Sequence, residues 1–158
     1  MNKTLLTNVI ELIKAKKYTI ALSESCTGGA VSSYFTSFPG ASKFFKGGFV
    51  TYSDESKIKF LDITKRDIKK YGVVSQYIAE LMAVNTRKKY NTDFGLSSTG
   101  YLDLGDRELA QGASLNAWIC VSSVNALVSQ HIVLNKNRAL NIQKVSNALV
   151  ELFRKEIV

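Results

Sequence analysis

Polar side chains able to carry out acyl-transfer chemistry follow three apolar segments of this sequence. They are Ser25-Cys26-Thr27, Tyr52-Ser53 and Ser98-Thr99, to which Lys57 and Arg138 add an amine and a guanidinium. A serine hydroxyl attacks poorly unless a base takes its proton, and a lysine whose pKa is lowered by burial can be that base. The sole histidine, His131, lies in an apolar run. Serine and lysine without a usable histidine therefore favour amide hydrolysis by a Ser-Lys mechanism.

The first of these clusters lies where a predicted strand gives way to a predicted helix. Residues 18–22 are apolar and partly β-branched, as in a buried strand, and the apolar positions of residues 30–35 share one helical face. We predict that Thr27 caps this helix. Gly28 and Gly29 would then leave N–H groups of the first turn open to an anion or a developing oxyanion. This turn is the predicted centre of the site.

The other two clusters also follow predicted strands. A strand over residues 49–52 is followed by a helix that starts at residues 53–55, so the ammonium of Lys57 projects close to the end of that strand. A third buried strand over residues 94–100 ends at the Thr99-Gly100 pair. Sites in α/β folds form at the carboxyl ends of the strands, so we expect these side chains to share one edge of the sheet.

The rest of the chain completes an α/β pattern. We predict an amphipathic first helix with apolar residues from Leu5 to Ile13, a helix over 65–71 capped by Thr64, and a longer helix capped by Ser75. Strands over 114–121 and 126–134 are predicted to form a hairpin. Arg138 opens a predicted last helix. The polar segment 103–111 is a predicted mobile loop. The pattern predicts a single-domain three-layer α/β/α sandwich with a mixed sheet that spans residues 1–158.

The charge balance is basic, with 21 Lys and Arg against 13 Asp and Glu and a formal net charge of +8. Such a surface favours anionic ligands, including nucleic acid. The basic clusters at residues 65–70 and 87–89 fall on predicted exposed helix faces, without interleaved aromatic residues on which bases could stack. A solvated surface is therefore the preferred interpretation, and nucleic acid is a disfavoured partner.

Composition also bears on compartment and on metal binding. No apolar run approaches the ~20 residues of a membrane helix, so we expect a cytoplasmic protein with no membrane partner. Cys26 and Cys120 lie far apart in sequence, with no second Cys or His at metal-ligand spacing, which favours reduced thiols over a disulfide or a metal site. We expect Cys26 to be a small packed neighbour of Ser25 and not a second nucleophile.

Four segments resemble the CinA C-terminal-domain family, the nicotinamide mononucleotide deamidases. They are Glu24-Ser25-Cys26-Thr27-Gly28-Gly29, Pro39-Gly40-Ala41-Ser42, Lys46-Gly47-Gly48-Phe49-Val50-Thr51-Tyr52-Ser53-Asp54-Glu55-Ser56-Lys57 and Gly72-Val73-Val74-Ser75. The resemblance covers nearly the whole chain and keeps the order of the motifs. A Ser-Cys-Thr-Gly-Gly turn followed at this distance by Tyr-Ser-x-Glu-x-Lys is not a general α/β pattern.

The resemblance implies an amidohydrolase that converts nicotinamide mononucleotide to nicotinic acid mononucleotide and ammonia, a step of pyridine nucleotide salvage. By the same resemblance Ser25 is the nucleophile, Lys57 its base, and Tyr52 positions or relays the proton. The implied substrate-binding residues are Thr27, Gly28, Gly29, Thr99, Gly100 and Arg138. The implied partner is the small-molecule nucleotide, no metal or other cofactor is needed, and the domain is expected to form a homo-oligomer.

The chain departs from the family pattern at three points. Leu115-Asn116 and Lys136-Asn137 stand where the family usually has a Gly-Thr and a Gly-Asp pair, and the segment after the Thr-Gly pair differs as well. After the Thr-Gly pair the family usually continues Ile-Ala-Gly-Pro and further glycines, whereas this chain reads Tyr101-Leu102-Asp103-Leu104-Gly105-Asp106. Tyr and Leu adopt positive φ less readily than Gly, and the two carboxylates would repel a phosphate if they point inward. The alternative function is therefore a non-catalytic paralogue that binds a nucleotide or a protein.

Six of the predicted site residues also have a purely structural alternative. Ser25 and Thr27 could be turn and cap residues, and Lys57 an exposed helix lysine. A tyrosine at the end of a strand is often a core residue, as Tyr52 would then be. Thr99 could be a cap, and Arg138 a surface charge near a helix start.

Overall fold

A five-stranded mixed sheet lies at the centre of the computed structural model, which describes residues 2–103, 105, 114–135 and 137–158. The described residues form the helices α1 (Lys3–Lys16), α2 (Ala30–Thr36), α3 (Asp54–Leu61), α4 (Lys65–Tyr71), α5 (Gln76–Tyr90) and α6 (Arg138–Ile157). They form the strands β1 (Ile20–Glu24), β2 (Phe45–Val50), β3 (Phe94–Tyr101), β4 (Asn116–Ser122) and β5 (Leu127–Val133). A short 3-10 helix, Ala41–Lys43, precedes β2.

The strand order is β2-β1-β3-β4-β5. Strand β1 pairs in parallel with both β2 and β3, and the β3–β4 and β4–β5 pairs are antiparallel. Glu24, the last residue of β1, is in register with Val50 on one side and Ser98 on the other. The segments that follow these three positions consequently start from the same edge of the sheet, as the sequence predicted.

Helices cover both faces of the sheet. Helix α5 packs across the sheet on one face together with α3 and α4, and helices α1, α2 and α6 pack on the other. In the layer formed by α1, α2 and α6, the ring of Phe35 contacts the rings of Phe44 and Phe153 edge to face. The predicted α/β/α sandwich with a mixed sheet, and with a hairpin before the last helix, is confirmed.

Strand β2 begins earlier than predicted, at Phe45 instead of residue 49, and it includes two glycines. A Cβ at Gly48 would lie 2.4 Å from the carbonyl oxygen of Leu22, and one at Gly47 would lie 2.5 Å from the ring of Tyr90. Glycine weakens a strand on its own, but here close packing against β1 and α5 requires it. The strand ends at Val50, so Tyr52 lies beyond its end.

The segment predicted to be a mobile loop, residues 103–111, lies outside the described residues except for Asp103 and Gly105. Within the part of the chain that the structure describes, no helix has both the length and the apolar character needed to cross a bilayer.

Candidate active site

A cavity of about 170 Å³ opens at the edge where β1, β2 and β3 end. Most of the predicted site residues line it, namely Ser25, Tyr52, Lys57, Thr99, Gly100 and Arg138. Among the described residues that line the cavity, Thr27, Gly28 and Gly29 are absent. Residues from four separate parts of the chain, namely the turn after β1, the segment after β2, the end of β3 and the start of α6, therefore meet in one crevice.

The amine of Lys57 contacts the hydroxyl of Ser25. The Lys57 Nζ lies 3.0 Å from the Ser25 Oγ and also donates to the carbonyl oxygen of Thr51 at 2.9 Å. Helix α3 holds the lysine in place, because Ser53 caps the helix through a reciprocal capping box with Ser56. Lys57 is 1% exposed, so the alternative of an exposed helix lysine is wrong.

Burial lowers the pKa of Lys57 below that of an ordinary lysine, because the protonated amine loses its hydration. The carboxylates of Asp54 and Glu55 oppose this shift less strongly. A lysine with a lowered pKa is neutral in a larger fraction of molecules at a given pH, and only the neutral amine can accept a proton. The environment of Lys57 is therefore suited to a general base that acts on Ser25.

The turn that carries Ser25 is held by Glu24, a residue that the sequence analysis did not single out. The Glu24 carboxylate is fully buried and accepts hydrogen bonds from the N–H groups of Gly29, Val31 and Ser32 at 2.7–3.1 Å. It also accepts from the hydroxyls of Thr27 and Ser32 at 2.7 and 2.6 Å. The signal in the sequence is an acidic residue at the end of an apolar strand, just before a helix N-terminus, where negative charge is stabilised.

This arrangement corrects two predictions. Thr27 is not the cap of α2: Gly29 takes the N-cap position, and the Thr27 hydroxyl bonds Glu24 and Ser98 instead. The N–H of Gly29 donates to Glu24 and that of Gly28 to the Ser25 carbonyl oxygen, so the expectation that they stay open to an anion is wrong. Both glycines have positive φ, which the tight turn requires.

Tyr52 and Arg138 meet at the mouth of the cavity. The Arg138 guanidinium donates to the phenolic oxygen of Tyr52 and forms an ion pair with the Asp103 carboxylate. Tyr52 is 57% exposed, so the alternative of a core tyrosine is wrong. Among the hydrogen bonds of the described residues, none joins Tyr52 to Ser25 or Lys57. A direct proton relay through the phenol is therefore not formed in this geometry.

Strand β3 supplies another wall. The buried Thr99 hydroxyl donates to the carbonyl oxygen of Val73 at 2.9 Å, which ties the segment before α5 to the cavity. A Cβ at Gly100 would lie 2.7 Å from that of Ala117, so packing against β4 requires a glycine there. Tyr101 lines the cavity, and the next residue, Leu102, is buried in the core. The segment that follows the Thr-Gly pair therefore contributes Tyr101 to the cavity wall and Leu102 to the core.

We expect neither cysteine to react in the folded protein. Burial raises the pKa of Cys26 to about 12 and also raises that of Cys120, so little thiolate exists at pH 8. Mass spectrometry after treatment with iodoacetamide should find both thiols unmodified in the native protein and alkylated in urea. Rapid native alkylation of Cys26 would show that its sulfur is accessible and ionised beside Ser25.

Comparison with known proteins places the chain in a family. The model of the CinA C-terminal domain matches residues 2–157. A CinA-like protein from Amoebophilus asiaticus is 35% identical over 149 residues, which are 94% of this chain but 36% of the relative, so the chain spans about a third of that relative's length.

Solved structures share the fold. A competence-damaged protein (CinA) superfamily protein from Klebsiella pneumoniae is 18% identical, with a TM-score of 0.92 over 98% of this chain and 96% of that one. A protein of the same superfamily from Escherichia coli is 21% identical, with a TM-score of 0.87 over 94% and 86% of the two chains. The chain belongs to the CinA C-terminal domain family.

Proposed function

We propose that this chain is an amidohydrolase that converts nicotinamide mononucleotide to nicotinic acid mononucleotide and ammonia by a Ser-Lys mechanism. The observation that carries the proposal is the 3.0 Å contact between the buried Lys57 Nζ and the Ser25 Oγ in the cavity. A lysine with a lowered pKa beside a serine is the pair that serine-based acyl transfer needs when no histidine is at hand. The choice of nucleotide rests on the resemblance to the family, and the cytoplasm is where such a salvage enzyme would act.

In the first half of the reaction, the neutral Lys57 amine takes the proton of the Ser25 hydroxyl as the oxygen attacks the carboxamide carbon. The Thr51 carbonyl oxygen accepts one N–H of the amine and so turns the nitrogen lone pair toward Ser25. The C–N bond then breaks, and the Lys57 ammonium returns the proton to the leaving nitrogen, which departs as ammonia. The product of this half is an ester of Ser25.

The oxyanion needs N–H donors that are not already bonded within the turn. Gly28 and Gly29 do not supply them, because their N–H groups bond Ser25 and Glu24. Cys26 directly follows the nucleophile and lines the cavity, so we assign its backbone N–H to the oxyanion. One such donor contributes roughly 10²–10³-fold to a rate.

In the second half, water attacks the ester while Lys57 accepts its proton. The ester C–O bond breaks, and the proton passes from Lys57 to the Ser25 oxygen. The free acid leaves, and both residues return to their starting states. No electron transfer occurs and one water is consumed for each amide, so the reaction balances without a further reactant.

Removal of the Ser25 hydroxyl is expected to lower ammonia release from nicotinamide mononucleotide by about 10³-fold or more, because no other group forms the ester. The measurement is steady-state ammonia production by the wild type and Ser25→Ala. Ser33→Ala is a matched control, since Ser33 is exposed on α2. Equal rates in the wild type and Ser25→Ala would remove Ser25 from the mechanism.

The alternative, a non-catalytic binding module, is supported by Tyr101, which lines the cavity where the family usually has a flexible glycine-rich segment. Calorimetry separates the two functions, because tight binding of the nucleotide without turnover would favour the module. The homo-oligomer implied by the resemblance also stays a prediction, which sedimentation equilibrium can test.

A further inference from the structure

The ion pair of Arg138 and Asp103 lies at the mouth of the cavity. Both side chains are partly buried, with 39% and 30% of their surfaces exposed. One carboxylate oxygen of Asp103 bonds the guanidinium, and the other accepts the N–H of Gly105 at 3.0 Å. The ion pair also holds the pKa of Asp103 below its usual range, so the carboxylate is charged at neutral pH. The guanidinium that the resemblance assigns to the substrate is thus already bonded to a residue of the divergent segment.

The charges of the described residues around the cavity disfavour the binding of an anionic substrate group. The cations are Lys57 and Arg138, and the carboxylates are Asp54 in the lining and Asp103 on the arginine. When Lys57 is neutral, as a base must be, the carboxylates outnumber the remaining cation. A phosphate monoester carries up to two negative charges and prefers a guanidinium that can donate two hydrogen bonds to it.

We propose that Asp103 is a specificity-determining residue that competes with the substrate phosphate for Arg138 and thereby lowers the preference for a phosphorylated pyridine carboxamide over its unphosphorylated riboside. The inference rests on the proposed function, because it concerns the same site and substrate class. A phosphate that binds Arg138 has to displace the Asp103 carboxylate, whereas a riboside leaves the ion pair intact.

The test measures binding separately from turnover. Calorimetry on Ser25→Ala and on Ser25→Ala with Asp103→Asn compares nicotinamide mononucleotide with nicotinamide riboside. Asparagine keeps an oxygen for the Gly105 N–H but removes the charge, so the mononucleotide should bind about tenfold more tightly and the riboside less than about twofold. Adding Arg138→Ala should abolish the gain. Asp103→Ser gives a second variant if the asparagine variant does not fold.

Asp62→Asn is the matched control, because Asp62 forms an ion pair with Lys89 at the far end of α3 and its φ of 55° suits asparagine. An unchanged binding ratio, equal tightening of both ligands, or a gain that survives Arg138→Ala would overturn the inference. The inference would also be overturned if the mononucleotide bound neither Ser25→Ala nor Ser25→Ala with Asp103→Asn. Absence of ammonia release by the wild type with the binding pattern intact would instead overturn the proposed function alone.

Discussion

Replacement of Lys57 by methionine is expected to lower ammonia release by about 10³-fold or more while leaving the stability of the fold near that of the wild type. Methionine fills a similar buried volume but cannot accept a proton, so Ser25 loses its base. Lys57→Arg should be as inactive, because a guanidinium stays protonated at all working pH values. Lys59→Met, an exposed position on the same helix, is the matched control.

The stability of Lys57→Met should change far less than its activity. Methionine loses the bonds to Ser25 and to the Thr51 carbonyl oxygen, but it also removes the cost of burying an ammonium, so the two effects largely offset each other. Urea unfolding should therefore place Lys57→Met within about 1 kcal/mol of the wild type at pH 7. A large loss of stability would mean that the lysine is a structural anchor and not a tuned base.

The pH dependence of the free energy of unfolding shows whether Lys57 has a lowered pKa in the folded chain. The pKa of Lys57 is lower in the folded than in the unfolded chain, so the unfolded chain binds more protons between the folded pKa and the ordinary value of 10.5. Wild-type stability should consequently rise relative to Lys57→Met as the pH rises through that window, and kcat/KM should rise with pH until Lys57 is neutral. A difference in stability that stays constant with pH would contradict a lowered pKa.

Local signals explain how much of the fold could be predicted from the sequence. Ser53, Thr64 and Ser75 each cap the helix that was predicted to follow them, because an N-cap hydrogen bond spans only three residues. Lys57 could be placed near Ser25 because a helix that starts directly after a strand projects the side chains of its first turn toward the end of that strand. Ser25 and Lys57 are 32 residues apart in the sequence, but the expectation that both follow strand ends at one edge of the sheet brought them together.

The features that were missed depend on groups far apart in sequence or on competing partners. The two glycines of β2 are explained only by the closeness of Leu22 and Tyr90. The pairing of Arg138 with Asp103 depends on how the segment after β3 meets the start of α6. Thr27 has the right residue type for a cap, but the Glu24 carboxylate binds the same helix N-terminus and bonds the threonine as well.

Replacement of Glu24 by alanine should produce the largest loss of stability among these variants. Its buried carboxylate accepts five hydrogen bonds, three from backbone N–H groups of the turn and of α2 and two from hydroxyls. Alanine leaves these donors without the fully buried acceptor that now binds them, and unsatisfied buried donors cost about 1–3 kcal/mol each before relaxation. We expect a net loss of about 4 kcal/mol, or roughly 8–16 °C in Tm for a chain of this size.

Thermal unfolding of Glu24→Ala beside Glu151→Ala checks this expectation. Glu151 pairs with Arg154 on an exposed face of α6, where such a pair contributes at most about 1 kcal/mol. Glu24→Gln should be intermediate, because its carbonyl oxygen still accepts but its amide group faces N–H donors. Amide exchange should speed up first at Gly29, Val31 and Ser32. If Glu24→Ala were no less stable than Glu151→Ala, the carboxylate could not be what holds α2 and the Ser25 turn in place.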